Sequence, residues 1–171
     1  MNLPELFQHC PRCGARRDGP PKNPFRCVAC GHQQYFNPAS AVAAILLGPD
    51  GCALFIRRAK DPGEGLLGLP GGFVDLGESA EEALRREIRE EVNLEVGPLD
   101  YLCSGVNHYH YKDVTYPVLD LFYVARAAST EGIAALDGVA SFVWLEPARV
   151  DLAEFAFRSN AEAIRLFNAR Q

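Results

Sequence analysis

The sequence has no long apolar run and no excess of positive charge. Its longest apolar stretch, Ala41 to Leu47, is far too short to cross a bilayer. Lysine and arginine number 17 against 22 aspartate and glutamate, and the formal charge of −5 argues against binding a nucleic-acid polymer through bulk electrostatics. The first ten residues show no basic stretch followed by an apolar run, so we expect no secretory signal, no membrane association and a cytoplasmic location.

The 171 residues, of which 48% are hydrophobic and 23% charged, suffice for one well-filled core and a small appendage. The appendage is indicated by two CxxC pairs in the first 38 residues. In a reducing compartment such pairs are more plausible metal ligands than disulfides, and four thiolates suit a structural, tetrahedral zinc site. A redox dithiol and an iron–sulfur site are the alternatives. The predicted ligands are Cys10, Cys13, Cys27 and Cys30.

The rest of the chain alternates predicted strands and helices. A buried strand at Ala41–Leu47, a turn over 48–51 and a returning strand at Cys52–Arg57 open this region. A glycine- and proline-rich loop over 61–72 follows. Further strands are expected at Glu95–Val106, Tyr116–Ala125 and Phe142–Leu145, with a last helix over Ser159–Ala169 capped by Ser159 or Asn160. The order predicts an α/β domain with a mixed sheet over residues 39–171, preceded by a zinc ribbon over residues 1–38.

One helix carries the strongest chemical signal. Ser79 followed by Glu82 is a capping-box pattern, and Asn93 suits a left-handed C-terminal cap. Between them an apolar residue recurs every fourth position, at Ala80, Leu84, Ile88 and Val92. Three carboxylates at spacing i, i+3 and i+4 lie beside that face, at Glu87, Glu90 and Glu91. Such a cluster is typical either of a solvated acidic face or of a Mg²⁺ or Mn²⁺ site, and the preceding glycines favour the metal site, because bare backbone can approach a phosphate or an ion.

The stretch from Gly72 through Glu78 to Arg86–Leu94 resembles the signature box of the Nudix hydrolases, with Asn93 where that family usually has glycine. The resemblance implies an α/β/α sandwich around a mixed sheet. It also implies that Glu87, Glu90 and Glu91 bind divalent metal together with a backbone carbonyl near Gly71, and that Arg86 holds Glu78 in place. Glu87 or Glu90 would be the general base. Asp137 is the nearest acidic residue to the late loop from which many relatives add a further ligand.

A zinc ribbon followed by such a domain is similar in layout to NADH, FAD and ADP-ribose pyrophosphatases. We therefore expect metal-dependent hydrolysis of the diphosphate bond in a nucleoside diphosphate linked to another group. The alternatives are a non-catalytic module that senses a nucleotide or binds a partner, and a pyrophosphohydrolase that acts on nucleoside triphosphates.

Residues outside the box offer hypotheses about substrate contacts. Tyr109 and Tyr111 lie in an aromatic run that could stack on an adenine or flavin ring. The same run is also compatible with a hairpin bearing exposed rings, or with a homodimer contact. Arg57 and Arg58, ahead of the glycine-rich loop, could reach phosphates or belong to a solvated loop. Gly72 is the candidate for close approach of the backbone to a phosphate.

Overall fold

A computed structural model describes all 171 residues, which divide into two compact units. The N-terminal unit contains Met1–Pro38 together with His108–Pro117, and the larger unit contains Ala39–Asn107 together with Val118–Gln171. The segment His108–Pro117 belongs to a hairpin that starts and ends in the larger unit. The assignment of residues 1–38 to a ribbon domain and of 39–171 to a hydrolase domain stays a prediction.

The N-terminal unit contains little regular structure. Helix α1 spans Leu3–Leu6, and the short strands β1 (Phe25–Arg26) and β2 (Gln33–Gln34) pair antiparallel. Its small core consists of buried cysteine and phenylalanine side chains, with Phe7 and Phe36 packed against it. The centroids of the Phe7 and Phe36 rings are 4.7 Å apart. Backbone hydrogen bonds join the chain start to the hairpin tip, since the Thr115 N–H donates to the Met1 carbonyl at 3.0 Å.

The larger unit is built on a six-stranded mixed sheet. Two neighbouring strands in the middle of the sheet, Ala39–Leu47 and Val114–Ala127, run parallel, with Ala39 opposite Val118 and Leu47 opposite Arg126. The pairings of Ala39–Leu47 with the next strand, and of that strand with its other two neighbours, are antiparallel. The strands are β3 (Ala39–Leu47), β4 (Ala53–Arg58), β5 (Leu67–Gly68), β6 (Val96–Tyr111), β7 (Val114–Ala127) and β8 (Val139–Leu145), in the order β5-β4-β3-β7-β6 with β8 also pairing with β4.

Two helices cover the two faces of this sheet, α2 (Ala80–Val92) and α3 (Arg158–Asn168), and the chain also makes 3₁₀ turns at Pro147–Arg149 and Leu152–Glu154. Because strand side chains alternate between faces, β3 contributes Val42, Ala44 and Leu46 to the core under α2 and Ala43, Ile45 and Leu47 to the core under α3. The predicted α/β/α sandwich with a mixed sheet is thus confirmed.

The last helix differs from the prediction at its start. It begins at Arg158, and its N-cap position is Phe157, which makes no side-chain capping bond, so the predicted cap at Ser159 or Asn160 is wrong. Ser159 instead donates its hydroxyl proton to the carboxylate of Asp120 at 2.5 Å, inside the protein. Burial raises the pKa of Asp120, although the Ser159 hydrogen bond opposes that rise.

The predicted strands are present, but four of them, β3, β6, β7 and β8, are longer than expected. β6 and β7 have 16 and 14 residues, so the aromatic run over 107–111 is the end of a strand. The loop predicted over 61–72 contains the two-residue strand β5, which is too short to leave a periodic signal. None of the helices is both long and apolar enough to span a bilayer.

Candidate active site and N-terminal metal centre

The loop before α2 lies directly on the backbone of β3. The amides of Ala44 and Val42 donate to the carbonyls of Pro70 and Gly72 at 3.0 and 2.8 Å. Gly71 has φ 145°, and a Cβ there would overlap the Val42 carbonyl oxygen. A Cβ on Gly72 would come within 2.5 Å of the Glu87 carboxyl group. Gly71 therefore requires glycine, whereas a side chain at Gly72 would displace the Glu87 carboxylate, and Gly72 brings bare backbone against this carboxylate of the helix.

Both ends of α2 are capped as predicted. The Ser79 hydroxyl accepts from the Glu82 N–H at 3.2 Å, and the Glu82 carboxylate accepts from the Ser79 N–H at 2.8 Å. At the other end Asn93 adopts the left-handed conformation, with φ 54° and ψ 39°. The apolar face buries Ala83, Leu84, Ile88 and Val92. These local signals fix the rotation of the helix, and with it the direction of its carboxylates.

Arg86 joins the carboxylates of this region through its guanidinium group. It donates to both oxygens of Glu78 at 2.9 and 3.0 Å, to Glu87 at 2.7 Å and to Glu90 at 3.0 Å. A further bond goes to the Phe73 carbonyl at 3.0 Å. The Arg86 hydrogen bonds hold the pKa of Glu78 below its usual range, as expected for a bidentate ion pair. The pairing of Arg86 with Glu78 that the resemblance implied is present.

Glu91 is the most shielded carboxylate of the cluster. Its carboxylate accepts the Gly71 N–H at 2.9 Å. Burial raises the pKa of Glu91 to about 8, against the effect of that hydrogen bond, and the negative charges of Glu87 and Asp137 add to the rise while Arg58 opposes it. Burial also raises the pKa of Glu87. The helix thus holds two carboxylates in surroundings where a negative charge is disfavoured unless a cation compensates it.

The chemistry of this donor set fits a hard divalent cation. Carboxylate oxygens are the ligands that Mg²⁺ and Mn²⁺ prefer, and Gly72 places backbone without a side chain directly against the Glu87 carboxyl group. One guanidinium nitrogen of Arg86 holds a carboxylate oxygen of Glu87 and one of Glu90, and the Gly71 amide holds Glu91. A cation bound here would compete with Arg86 for Glu87 and Glu90.

A surface segment, residues 132–137, covers the C-terminal end of α2 and was not predicted. The amides of Ala134, Leu136 and Asp137 donate to the carbonyls of Val92, Glu91 and Glu90, which have no partner within the helix. The Asn93 side-chain amide donates to the Gly132 carbonyl at 2.8 Å. These contacts place the exposed Asp137 close enough for its charge to act on Glu91. Asp137 was noticed in the sequence, but the docking of its segment leaves no local signal.

The N-terminal cysteines form a second candidate metal centre. All four sulfur atoms lie within 4.8 Å of one another, and the Cys10–Cys30 and Cys13–Cys27 separations are 3.7 and 3.6 Å. A tetrahedron of thiolates at the usual zinc–sulfur distance of ~2.3 Å has edges of roughly 3.8 Å. In the metal-free cluster backbone amides, first that of Cys30, lower the pKa of Cys27 to about 7. Against the effect of the Ala15 amide, the neighbouring thiols raise the pKa of Cys13 to about 12. The four cysteines fit a tetrahedral metal ion and leave no position open for chemistry.

Both CxxC turns have the same backbone geometry. Gly14 and Gly31 follow the second cysteine of each pair with φ 73° and 71°, as the tight turns required. Each donates its N–H to the carbonyl of the first cysteine, at 2.9 Å in both turns.

Of the remaining predicted site residues, Arg57 and Arg58 bond to residues outside α2. Arg57 is bonded to Glu154 at 2.9 Å and to the Gly65 carbonyl at 3.0 Å, so it supports the loop over 61–66. Arg58 donates to the Pro62 carbonyl at 2.7 Å and lies over the Phe157 ring. Tyr109 and Tyr111 belong to the N-terminal unit, whereas the carboxylate helix belongs to the larger unit. Tyr111 is half exposed, with the Lys112 ammonium 5.2 Å from its ring centroid.

The geometry agrees with comparisons to known proteins. The family model described as NUDIX domain matches residues 37–167, and this chain belongs to the Nudix family. The fold is similar to that of a Nudix hydrolase from Nitrosomonas europaea, with a TM-score of 0.74 and 20% identity over 93% of this chain and 89% of the other. Nudix hydrolases and pyrophosphatases are thus the proteins to which this chain is similar.

Two curated relatives match parts of this chain. An ADP-ribose pyrophosphatase from Methanocaldococcus jannaschii is 46% identical over 63 residues, which are 37% of this chain and 37% of that protein. An NAD-capped RNA hydrolase from Pseudomonas aeruginosa is 34% identical over 96 residues, which are 56% of this chain and 34% of that one. The matches therefore span about a third of the length of these relatives. Both relatives are named for hydrolysis of a nucleotide-derived substrate.

The raised pKa of Glu91 predicts how the stability of the metal-free protein depends on pH. The folded state binds the Glu91 proton up to about pH 8, whereas the unfolded chain loses it near the ordinary value of 4.5. The stabilising effect of that proton is complete below pH 4.5 and is lost as pH rises to about 8. In chelator, the free energy of unfolding should therefore fall over this window, and Glu91→Gln should flatten the fall. Denaturant unfolding at several pH values measures it.

Glu95→Gln is the matched control. In the wild type the ion pair with Arg89 lowers the pKa of Glu95, so titration of Glu95 affects stability only at pH below 4.5. An equal slope in the wild type and in Glu91→Gln would show that Glu91 is not the group that titrates.

Proposed function

We propose that this chain hydrolyses the diphosphate bond of a nucleoside diphosphate linked to another group, such as ADP-ribose, NADH or FAD, with Mg²⁺ or Mn²⁺ as cofactor. The observation that carries the proposal is the set of carboxylates on α2, with Glu87 against Gly72 and Arg86 joined to Glu78. A module that only senses a nucleotide has no need for this set. The activities for which two relatives are named, on ADP-ribose and on NAD-capped RNA, support hydrolysis of the same kind of bond.

Glu87, Glu90 and Glu91, with a backbone carbonyl near Gly71, would hold the divalent metal. When bound, the metal would polarise the phosphate and lower the pKa of a water molecule. Glu87 or Glu90 would accept the proton of the attacking water at a carboxylate oxygen. Burial raises the pKa of Glu87, whereas the Arg86 hydrogen bonds lower the pKa of Glu78, so Glu87 is the more basic of these two. Arg86 orients these side chains, and Glu78 holds Arg86.

Residues outside the box would contact the rest of the substrate. Tyr109 and Tyr111 remain our candidates for stacking on the base or flavin. Arg58 remains a candidate phosphate contact, because its charge acts on Glu91 and so lies near the reacting end. Arg57 is the weaker candidate, since Glu154 already neutralises it. Gly72 would bring its backbone to the phosphates.

We also propose that the N-terminal ion is zinc and that its role is structural. Four sulfur ligands suit zinc, and a small unit with so few buried apolar side chains needs the folding free energy that the ion provides. The six cysteines are all unpaired, which suits a reducing, cytoplasmic location.

Hydrolysis should depend on the divalent metal and on Glu87. Glu87→Gln removes an anionic ligand while keeping the shape of the side chain, so kcat should fall by about a hundredfold or more. The measurement is turnover of ADP-ribose and NADH with Mg²⁺ or Mn²⁺ and after chelation. Glu81→Gln is the control, because it makes the same change at an exposed position of the same helix, and this variant should keep wild-type turnover. Wild-type turnover in Glu87→Gln would remove the helix from the mechanism, and an inactive wild type would favour the sensing module.

One zinc ion per chain should be found by elemental analysis. Cys27→Ser should release it and loosen the N-terminal unit, because a buried ligand of the cluster is lost. Cys103→Ser changes a cysteine outside the cluster and should retain the ion. A chain without bound zinc, or with iron in its place, would contradict the proposal.

The substrate class can be tested with the tyrosines. Stacking on an aromatic ring is worth roughly 1–3 kcal/mol per base, so Tyr109→Ala or Tyr111→Ala should raise KM for the true substrate about tenfold with little change in kcat. Products of a panel of dinucleotides, nucleotide sugars and triphosphates would be identified by mass. Faster turnover of triphosphates than of every dinucleotide would show that the substrate class is wrong, and unchanged KM in both variants would make the aromatic run structural.

A further inference from the structure

The C-terminal end of α2 is completed by a segment that is distant in sequence. Every helix leaves its last carbonyls without an intrahelical partner. In this protein those of Glu90, Glu91 and Val92 accept from Asp137, Leu136 and Ala134 at 3.3, 2.9 and 3.2 Å. We name residues 132–137 the capping segment. Its backbone therefore bonds to the same residues that present the carboxylates of the site.

Asn93 adds a side-chain bond to this arrangement. Its backbone is left-handed, a conformation that glycine adopts without strain, but glycine would provide no donor. The Asn93 amide donates to the Gly132 carbonyl at 2.8 Å, which is shorter than each of the three backbone bonds. The bond holds the upstream end of the capping segment, whose downstream end is fixed where the Ala59 N–H donates to the Gly138 carbonyl at 2.8 Å.

We propose that Asn93 is a positioning residue, whose amide holds the capping segment on the last turn of α2 and thereby fixes Glu90, Glu91 and Asp137 relative to one another. The inference rests on the proposed function, in which Glu90 and Glu91 hold the divalent cation. Asn93 contacts neither substrate nor metal in this account. It acts through the segment, so its loss should loosen the segment first and weaken metal binding as a consequence.

The arrangement explains why a hydrogen bond at an exposed position matters. Within the capping segment Ile133 is only partly buried against the α2 core, and Leu136 is about half exposed, so apolar packing holds the segment weakly. The Asp137 amide makes the longest of the backbone bonds, at 3.3 Å. A segment held by so few contacts opens locally unless each end is fixed.

Asn93→Gly tests the inference with little risk to folding, because glycine retains the left-handed helix end and removes the amide alone. Hydrogen exchange of the Leu136 and Asp137 amides in the metal-free protein should accelerate about fivefold, the effect of losing one ordinary hydrogen bond. The Kd for Mn²⁺, measured from the free ion by electron paramagnetic resonance, should rise about threefold or more. Turnover should fall at limiting metal and recover at saturating metal, while KM for the nucleotide stays unchanged.

Two further variants sharpen the test. Asn93→Asp puts a carboxylate oxygen against the Gly132 carbonyl, so exchange and the Kd for Mn²⁺ should change more than in Asn93→Gly. Ser129→Ala removes a different side-chain hydrogen bond of the same loop, from the Glu131 N–H, and should leave exchange of the capping segment and metal affinity as in the wild type.

Unchanged exchange in Asn93→Gly would overturn the inference, because the amide would then not hold the segment. Faster exchange with unchanged Mn²⁺ affinity would also overturn it, since the bond would be structural alone. Failure of the proposed function looks different: the wild type itself would show no Mn²⁺-dependent turnover, while the exchange measurement would still report on the segment.

Discussion

The site depends on the placement of several carboxylates within little more than one turn of helix. Like charges at this spacing repel, and burial beside an apolar core makes the repulsion stronger. The single guanidinium group of Arg86 reaches Glu78, Glu87 and Glu90, and the Gly71 amide reaches Glu91. Without these donors the helix could not keep its acidic face against the loop. The same donors occupy carboxylate oxygens that a divalent cation would bind under the proposed function.

Close backbone approach is the second constraint. The glycines before α2 let the loop lie on β3 and let Glu87 lie on the loop, so helix, loop and sheet share one contact region. Substituting either glycine would move the loop away from the sheet or push Glu87 out of place. The ends of α2 are fixed separately, by the capping box at Ser79 and by the segment bonded to Asn93. The carboxylates are thus oriented by the loop before α2 and by the contacts at both ends of the helix.

Local signals in the sequence predicted a large part of this arrangement. The caps at Ser79 and Asn93, the apolar face of α2 and the carboxylate spacing depend on residues within a few positions of one another, and the structure contains each of them. The contacts that escaped prediction join distant residues. Asn93 and Gly132 are 39 positions apart, and so are Ser159 and Asp120, and polar side chains of this kind also occur as ordinary caps and surface groups. The predicted cap at Ser159 was wrong because the Ser159 hydroxyl bonds to the distant Asp120 and not to the end of its own helix.

The two faces of the sheet form cores that have no buried side chain in common. Neighbouring residues of β3, such as Ile45 and Leu46, belong to opposite cores, and only the strand backbone connects them. Energetic coupling between substitutions weakens when the side chains share no partner. The packing of α3 can therefore diverge among relatives without compensating changes under α2. Sequence drift on the one side need not disturb the helix that carries the carboxylates on the other.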